Sequence, residues 1–298
     1  MDDKIIFKMI KKLKPFKEKI SNVKPRHDRL FQIFVKASFV KTYEFIFDVY
    51  NPKQNFNAFF IVPNLRGICE DLIVLGFLNS INKTDRSELT RIILGHRMFK
   101  EIVDQVKFFQ ETRPFQEVVN STATRDKLRN LEGEARKIWK KYGCQNRNGA
   151  ILPNTRVLSE KQNLDLLTTV YDFLFRLTSR MVHFSPSTLM TMGWRSVKDR
   201  MRFSTKNFKE YYYLTSSIYG LYLFCLYFEL FPKILRAPKE IKKHIEKFRK
   251  EILMIPRWPE MVTFEAMNLP SPKIHLTQIM HQIIYAEKHE KGFLLKNK

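Results

Sequence analysis

The sequence predicts an all-α protein, an up-and-down helical bundle with a helical C-terminal extension. Three observations carry that expectation. Glycine is scarce, at 9 in 298 residues, whereas sheet-rich folds need glycine at turns and nucleotide-binding α/β folds need it in phosphate loops. Apolar residues recur at helical spacing through most of the chain. No stretch alternates apolar and polar residues long enough to define a strand. The pattern divides the chain into a basic amphipathic N-terminal helix over 1–27, a bundle core over 28–232 and a helical extension over 233–298.

Each element has its own signature. Residues 1–20 carry Ile5, Ile6, Met9, Ile10, Leu13, Phe16 and Ile20 at helical spacing with lysines between, and Pro15 predicts a break. Such a start can touch a membrane surface, RNA or a partner, or dock on the bundle. It lacks the apolar run of a signal peptide. Residues 28–50 read as a helix closed by Asn51-Pro52. Residues 54–81 read as a central helix buried on most sides, with a kink at Pro63. Residues 85–112 place Leu89, Ile92, Ile93, Phe99, Ile102, Val103 and Val106 on one broad face, and 114–142 give a further helix. The glycines, asparagines and proline of 143–160 predict a loop. A helix over 161–184 ends at Ser-Pro-Ser, followed by a polar connector over 195–207. From Tyr211 to Phe231 only Glu229 is charged, which is long enough to span a bilayer. Tyrosines spread along that run favour a buried bundle helix instead. Beyond Pro232 come a charged helix, a proline-punctuated segment and a last amphipathic helix over 274–298.

Charge narrows the partners. Lys and Arg number 53 against 30 Asp and Glu, a formal net charge of +23. That excess attracts polyanions, nucleic acid first and an anionic membrane surface second. By itself it supplies salt-sensitive binding and no chemistry. Neither G-x-G-x-x-G nor G-x-x-x-x-G-K-[ST] occurs, nor H-E-x-x-H. His275, His281 and His289 are spaced six and eight apart and do not share a helix face as metal ligands do. No cofactor and no metal are therefore expected. Cys69, Cys144 and Cys225 are scattered, and Cys69 and Cys225, inside apolar helical runs, read as buried, reduced thiols of a cytoplasmic protein.

The candidate chemistry lies in "YDFLFRLTSRMVHFSPS", residues 171–187. On a helix, Leu166, Val170, Phe173, Leu174, Leu177, Met181 and Phe184 form an apolar stripe. Asp172, Arg176, Ser179 and His183 fall within about 60° of one another on its flank, and Arg180 lies between the two sets. A guanidinium can hold a phosphate and its developing charge. An imidazole can exchange a proton near neutral pH. Asp172, four residues before Arg176, can orient it. In the central helix, Arg66 and Glu70 share the stripe of Phe59, Val62, Ile73 and Phe77, where charges are costly unless paired. The expectation is that the two helices are adjacent, with Arg66, Glu70, Arg176 and His183 in one polar network. The other reading of these charges is a salt bridge that fixes helix register.

Arg176, six residues and His183 resemble the R-x(4–6)-H motif of the HEPN superfamily, all-helical bundles that include metal-independent ribonucleases of toxin–antitoxin and anti-phage systems. Leu177 stands where active members usually carry a polar residue, and "RIILGH", Arg91 to His96, is a second match to the same spacing. "NLRGICEDLIVLGFL" together with the 171–187 stretch also resembles a prokaryotic family of helical domains of unknown function. Its Arg-x-x-x-Glu helix followed by a Tyr…Ser-x-x-x-His helix falls on Arg66, Glu70, Tyr171, Ser179 and His183, and the likeness spans roughly residues 30–230. The resemblance implies an RNA-directed, metal-independent endoribonuclease-like effector. His183 would act on a ribose 2′-hydroxyl, and Arg176, helped by Arg180, would stabilise the phosphorane. It also implies a homodimer and an antitoxin or defence-complex partner. The alternative is a non-catalytic helical module that binds nucleic acid or an acidic protein partner. A membrane is not an expected partner.

Overall fold

The computed structural model describes residues 2–24, 26–113, 115–117, 125–145, 150–162, 165–183, 185–195 and 201–261, and over them the protein is an all-α helical bundle. The helix expected over 274–298 lies outside the described residues.

The N-terminal stretch forms two helices, α1 (Asp3–Lys12) and α2 (Lys14–Ser21). The Asp2 carboxylate accepts from the Lys4 and Ile5 amides as an N-cap. Pro15 stands in the first turn of α2, where its missing N–H breaks no helical bond. Ile6, Met9, Ile10, Leu13, Phe16 and Ile20 are buried, so both helices dock on α3 (Leu30–Tyr50) and leave their lysines outside.

The segment read as one kinked helix is two, α4 (Ala58–Ile61) and α5 (Asn64–Ser80), divided at Val62–Pro63. A proline at that point cannot donate to a continuing ladder. Next come α6 (Lys83–Thr112) and α7 (Arg125–Lys141), packed together as a hairpin. The presumed loop at 143–160 contains α8 (Thr155–Glu160), whose first turn is capped by the Asn154 side chain. Six residues are too few for an apolar period to show. After α9 (Asp165–Val182) and α10 (Pro186–Thr191), the polar connector includes a small antiparallel ribbon, β1 (Gly193–Arg195) and β2 (Met201–Phe203), with Trp194 opposite Arg202. The chain continues through α11 (Lys209–Leu230), α12 (Pro232–Leu235) and α13 (Lys239–Leu253).

The core is organised on α11, which packs on α3, α4, α5 and α13. Gly220 lets α3 approach closely, since a Cβ there would stand 2.6 Å from the Phe45 ring. Phe39 of α3 is fully buried, with ring centroids of Phe16, Phe224, Tyr227 and Phe228 between 5.4 and 6.0 Å away. Inside this apolar packing runs a short polar chain. The Tyr227 hydroxyl is bonded to that of Ser38 and accepts from Thr42 at 3.2 Å, and Ser38 also lies 2.7 Å from an Asp71 carboxylate oxygen. No helix among the described residues is long and apolar enough to cross a membrane.

At the base of the α6–α7 hairpin, the buried Asp85 accepts from Tyr142 and the Asn82 side chain at 2.8 Å each and from Lys141 at 3.1 Å. The Tyr142 hydrogen bond, then Lys141, hold its carboxyl below the usual carboxylate range. Trp139 of α7 is fully buried against Phe77 and donates to the Ile151 carbonyl at 3.1 Å.

Two outcomes follow. Phe39→Ala empties the aromatic cluster and should cost about 3–5 kcal/mol, read from urea unfolding at 25 °C. A carboxyl depressed in the folded state contributes stability above its unfolded pKa and loses it as pH falls through the folded one. Asp85→Asn should therefore lower the urea midpoint at pH 7, with the difference from wild type shrinking as pH falls below about 4.

Candidate functional site

The helix α9 is placed by its apolar side. Leu167, Tyr171, Leu174 and Leu177 are buried and face α5 and α8, while Thr178 satisfies its hydroxyl on the Leu174 carbonyl at 2.7 Å. The flank of this stripe carries the polar residues. The side chains of Leu166 and Phe184, also assigned to the stripe, lie outside the description.

The two helices that carry the candidate residues are neighbours and run in opposite directions. The Arg66 guanidinium lies over the Phe175 ring at 4.3 Å, and one turn on, the Tyr171 hydroxyl donates to Glu70 Oε1 at 3.4 Å. Arg66 Nε donates to the same carboxylate oxygen at 2.8 Å. Arg66, Glu70 and Tyr171 thus form one hydrogen-bonded group at the α5–α9 contact. Burial pushes the Tyr171 hydroxyl above its ordinary pKa, so it serves as a donor.

This group forms part of the wall of an open cleft of about 1060 Å³ between α3, α5, α6, α8 and α9. Lys41, Arg66, Arg97, Arg156 and Arg176 line it, with Glu70, Asp71 and Asp172 as the acids. Each acid is engaged. Glu70 holds Arg66, Asp71 pairs with Lys41 and Ser38, and Asp172 lies 3.9 Å from Arg156. Asp172, expected to orient Arg176, is instead beside Arg156, which is bonded more closely to Glu160 at 3.0 Å. Among the described residues Arg97 and Arg176 have no acidic partner, and both are exposed.

The remaining candidates stand elsewhere on α9. Ser179 keeps its hydroxyl buried and without a hydrogen-bond partner. Arg180 is exposed, and its charge acts against the burial that pushes Tyr211 of α11 up to about 12. His183 is exposed just past the helix end, its amide still bonded to the Ser179 carbonyl at 2.9 Å. It stands seven positions on from Arg176, about 10 Å along a helix axis. His183 does not line the cleft, so the expected four-residue network holds Arg66 and Glu70, with Arg176 near it and the imidazole beyond it.

The second Arg-to-His spacing is accounted for by packing. His96 is buried at the α6–α7 contact with Nε2 3.0 Å from Glu132 Oε1, and Arg91 pairs with Glu88 and Glu134 on the surface. The three thiols are buried, and burial pushes Cys225 up to about 12, which disqualifies it as a nucleophile near neutral pH. Among the described residues no group of three His, Cys, Asp or Glu could hold a metal ion. Sequence reasoning missed Arg97 and Phe175. Arg97 sits among other cations of α6 with nothing to single it out, and Phe175 reads as core until its exposure is seen.

Against this geometry, one family matches: a family of unknown function (DUF5677) covers residues 61–200, from the end of α4 to just beyond β1. No curated protein and no solved structure matches the chain.

The Arg66–Glu70 pair is about one-third exposed on each side, so solvent screening limits its energetic weight. A double-mutant cycle on Arg66→Ala and Glu70→Ala, read by urea unfolding, should give a coupling below about 1 kcal/mol.

Proposed function

We propose that the protein is an RNA-directed effector of HEPN-like type that works without metal, with Arg176 and His183 as the groups that meet the strand. The observation that carries this reading is that both side chains are exposed, Arg176 on α9 and His183 just past its end, beside a cleft in which Arg176 has no acidic partner among the described residues. A strand whose phosphates lie against Arg176 and run on toward the C-terminal end of α9 passes the imidazole. Histidine is the side chain whose ordinary pKa suits proton exchange at neutral pH, and a guanidinium stabilises the charge that builds on a phosphorane. The net charge of +23 supports a polyanionic partner. Ser179 and Asp172 leave the reacting set, because the hydroxyl of the first is buried and the carboxylate of the second stands beside Arg156, while the exposed Arg180 keeps its place as a helper cation. Assignment to toxin–antitoxin or anti-phage defence, and a homodimeric state, rest on the HEPN resemblance alone.

One observation favours a second reading. Among the described residues no histidine lines the cleft, and an imidazole about 10 Å further along the helix suits a strand-contacting group as well as a proton carrier. In that reading the protein binds RNA, or an acidic partner, without cutting it.

Purified protein incubated with total RNA in EDTA separates the two. Cleavage should persist in EDTA and fall by about a hundredfold or more in His183→Ala and in Arg176→Ala. Cleavage that survives His183→Ala removes the imidazole from the mechanism. Salt-sensitive RNA binding without cleavage, weakened by Arg176→Ala, establishes the second reading.

A further inference from the structure

A second concavity, with no residue of α9 in its wall, opens between α1, the end of α3, the 51–58 segment and the start of α11. Its volume is about 820 Å³, within the range that holds a small ligand. We infer that it is a binding site for one amphiphile, an apolar chain that ends in a carboxylate or phosphate. The chain lies against Phe7, Phe56 and Tyr213, and the head meets Lys4, Lys206 and Lys209. The inference involves neither Arg176 nor His183 and stands whether or not the protein cuts RNA.

The floor is the first argument. Phe7, Val49, Tyr50 and Ala58 are buried, and Phe56 and Tyr213 are half-buried. Both tyrosine hydroxyls are occupied. Tyr50 donates to the Ser217 carbonyl at 3.2 Å and Tyr213 to Asp3 Oδ2 at 2.9 Å. Burial first, then the Asp3 charge, raises both above their ordinary pKa. Amides on the wall are engaged as well. Asn57 donates to Thr205 at 2.7 Å and accepts from the Phe59 amide, Asn51 accepts from the Lys53 amide, and Gln54 reaches Asp48 at 3.4 Å. A sugar or a nucleobase has polar edges that need partners, and leaving them unmatched against such a floor costs binding. A hydrocarbon chain needs none and gains by leaving water.

The second argument is the mouth. Lys4, Lys206 and Lys209 line it, are exposed, and have no acidic partner among the described residues. Of the two carboxylates there, Asp3 is held by Tyr213, and Glu210 stands exposed in the first turn of α11. Three cations thus face one unengaged acid. They come from α1, from the stretch after β2 and from α11, so they converge only in the fold. An ammonium on a long stem suits an anionic head that is not held in one fixed geometry. The basic surface continues along α1, where Lys8 and Lys11 follow Lys4 at one-turn intervals and Lys11 lies over the Phe7 ring at 4.5 Å.

This chemistry occurs in a free long-chain acid and in a membrane phospholipid, and titration of the full-length protein separates them. Decanoate below its micelle concentration is followed by calorimetry, with decanol as the uncharged probe. Saturable binding of decanoate is expected, with decanol about threefold weaker or more. The combined variant Lys4→Ala, Lys206→Ala, Lys209→Ala should weaken decanoate roughly tenfold and leave decanol within about twofold, because it removes charge and leaves the floor intact. Phe56→Asp should weaken both probes roughly tenfold or more, by placing a charge where the chain lies. Vesicles of equal parts phosphatidylcholine and phosphatidylglycerol are then sedimented with the protein at high salt, which screens the general attraction of a basic chain for an anionic surface. Co-sedimentation that Phe56→Asp abolishes identifies a membrane lipid as the ligand, and decanoate binding without it identifies the free acid. The inference is overturned if decanoate does not saturate, if the lysine variant binds it within twofold of the parent, if decanol binds as tightly as decanoate, or if Phe56→Asp binds both as the parent does. The lysine variant changes exposed side chains only, so it tests the head even where Phe56→Asp lowers stability, and thermal melts followed by circular dichroism check both.

Discussion

The arrangement of the bundle depends on how a polar chain is satisfied inside an apolar core. Tyr227 of α11, Ser38 and Thr42 of α3, and Asp71 of α5 are linked by hydrogen bonds, and Lys41 closes the chain at the surface. Aromatic packing around Phe39 accepts many rotations of one helix on another at similar area. Hydroxyl groups do not, because each bond has a narrow range of distance and angle and an unmade one costs desolvation. The chain fixes the depth and rotation of three helices at once. Burial keeps Tyr227 protonated, so the link persists through the physiological range.

That constraint reaches the cleft directly. Ser38, Lys41 and Asp71 are part of its wall, and on α5 Glu70 directly precedes Asp71 and Arg66 lies one turn before Glu70. Fixing α5 fixes the guanidinium over Phe175, and with it the position of α9. The cleft is thus an outgrowth of core packing. Its acids are consumed by structural partners, which leaves Arg97 and Arg176 without an acidic partner among the described residues.

Much of this was legible in the sequence, and the limits have physical causes. Long periodic helices such as α3, α6 and α9 declare themselves because burial repeats every third or fourth residue, and α11 because its nearly continuous buried run is too long for a strand. The proximity of Arg66 and Glu70 to the 171–183 helix was also legible, since two charges on an apolar stripe need company. The short elements were not. The helix α8 rests on one asparagine cap, the β ribbon has three residues a side, and α4 separates from α5 because Pro63 cannot donate. The reach of the site was misjudged for another reason. Angular position around α9 groups Arg176 with His183, but the wheel projection discards the axial coordinate, and seven residues of rise carry the ring out of the cleft. Arg97 escaped notice because its place beside the cleft arises only when α6 packs beside α3.

The shape of α6 carries a mechanical consequence. Its buried residues end at His96, and the sixteen helical residues beyond, roughly 24 Å of helix, are half-buried or exposed. Arg97 sits at the fulcrum. A tilt of about 5° at that point sweeps the far end through some 2 Å by simple leverage on that length, while the guanidinium at the pivot hardly moves. Leverage runs both ways: a load on the tip is felt at the root as torque, borne by the His96–Glu132 contact and the Asp85 cluster.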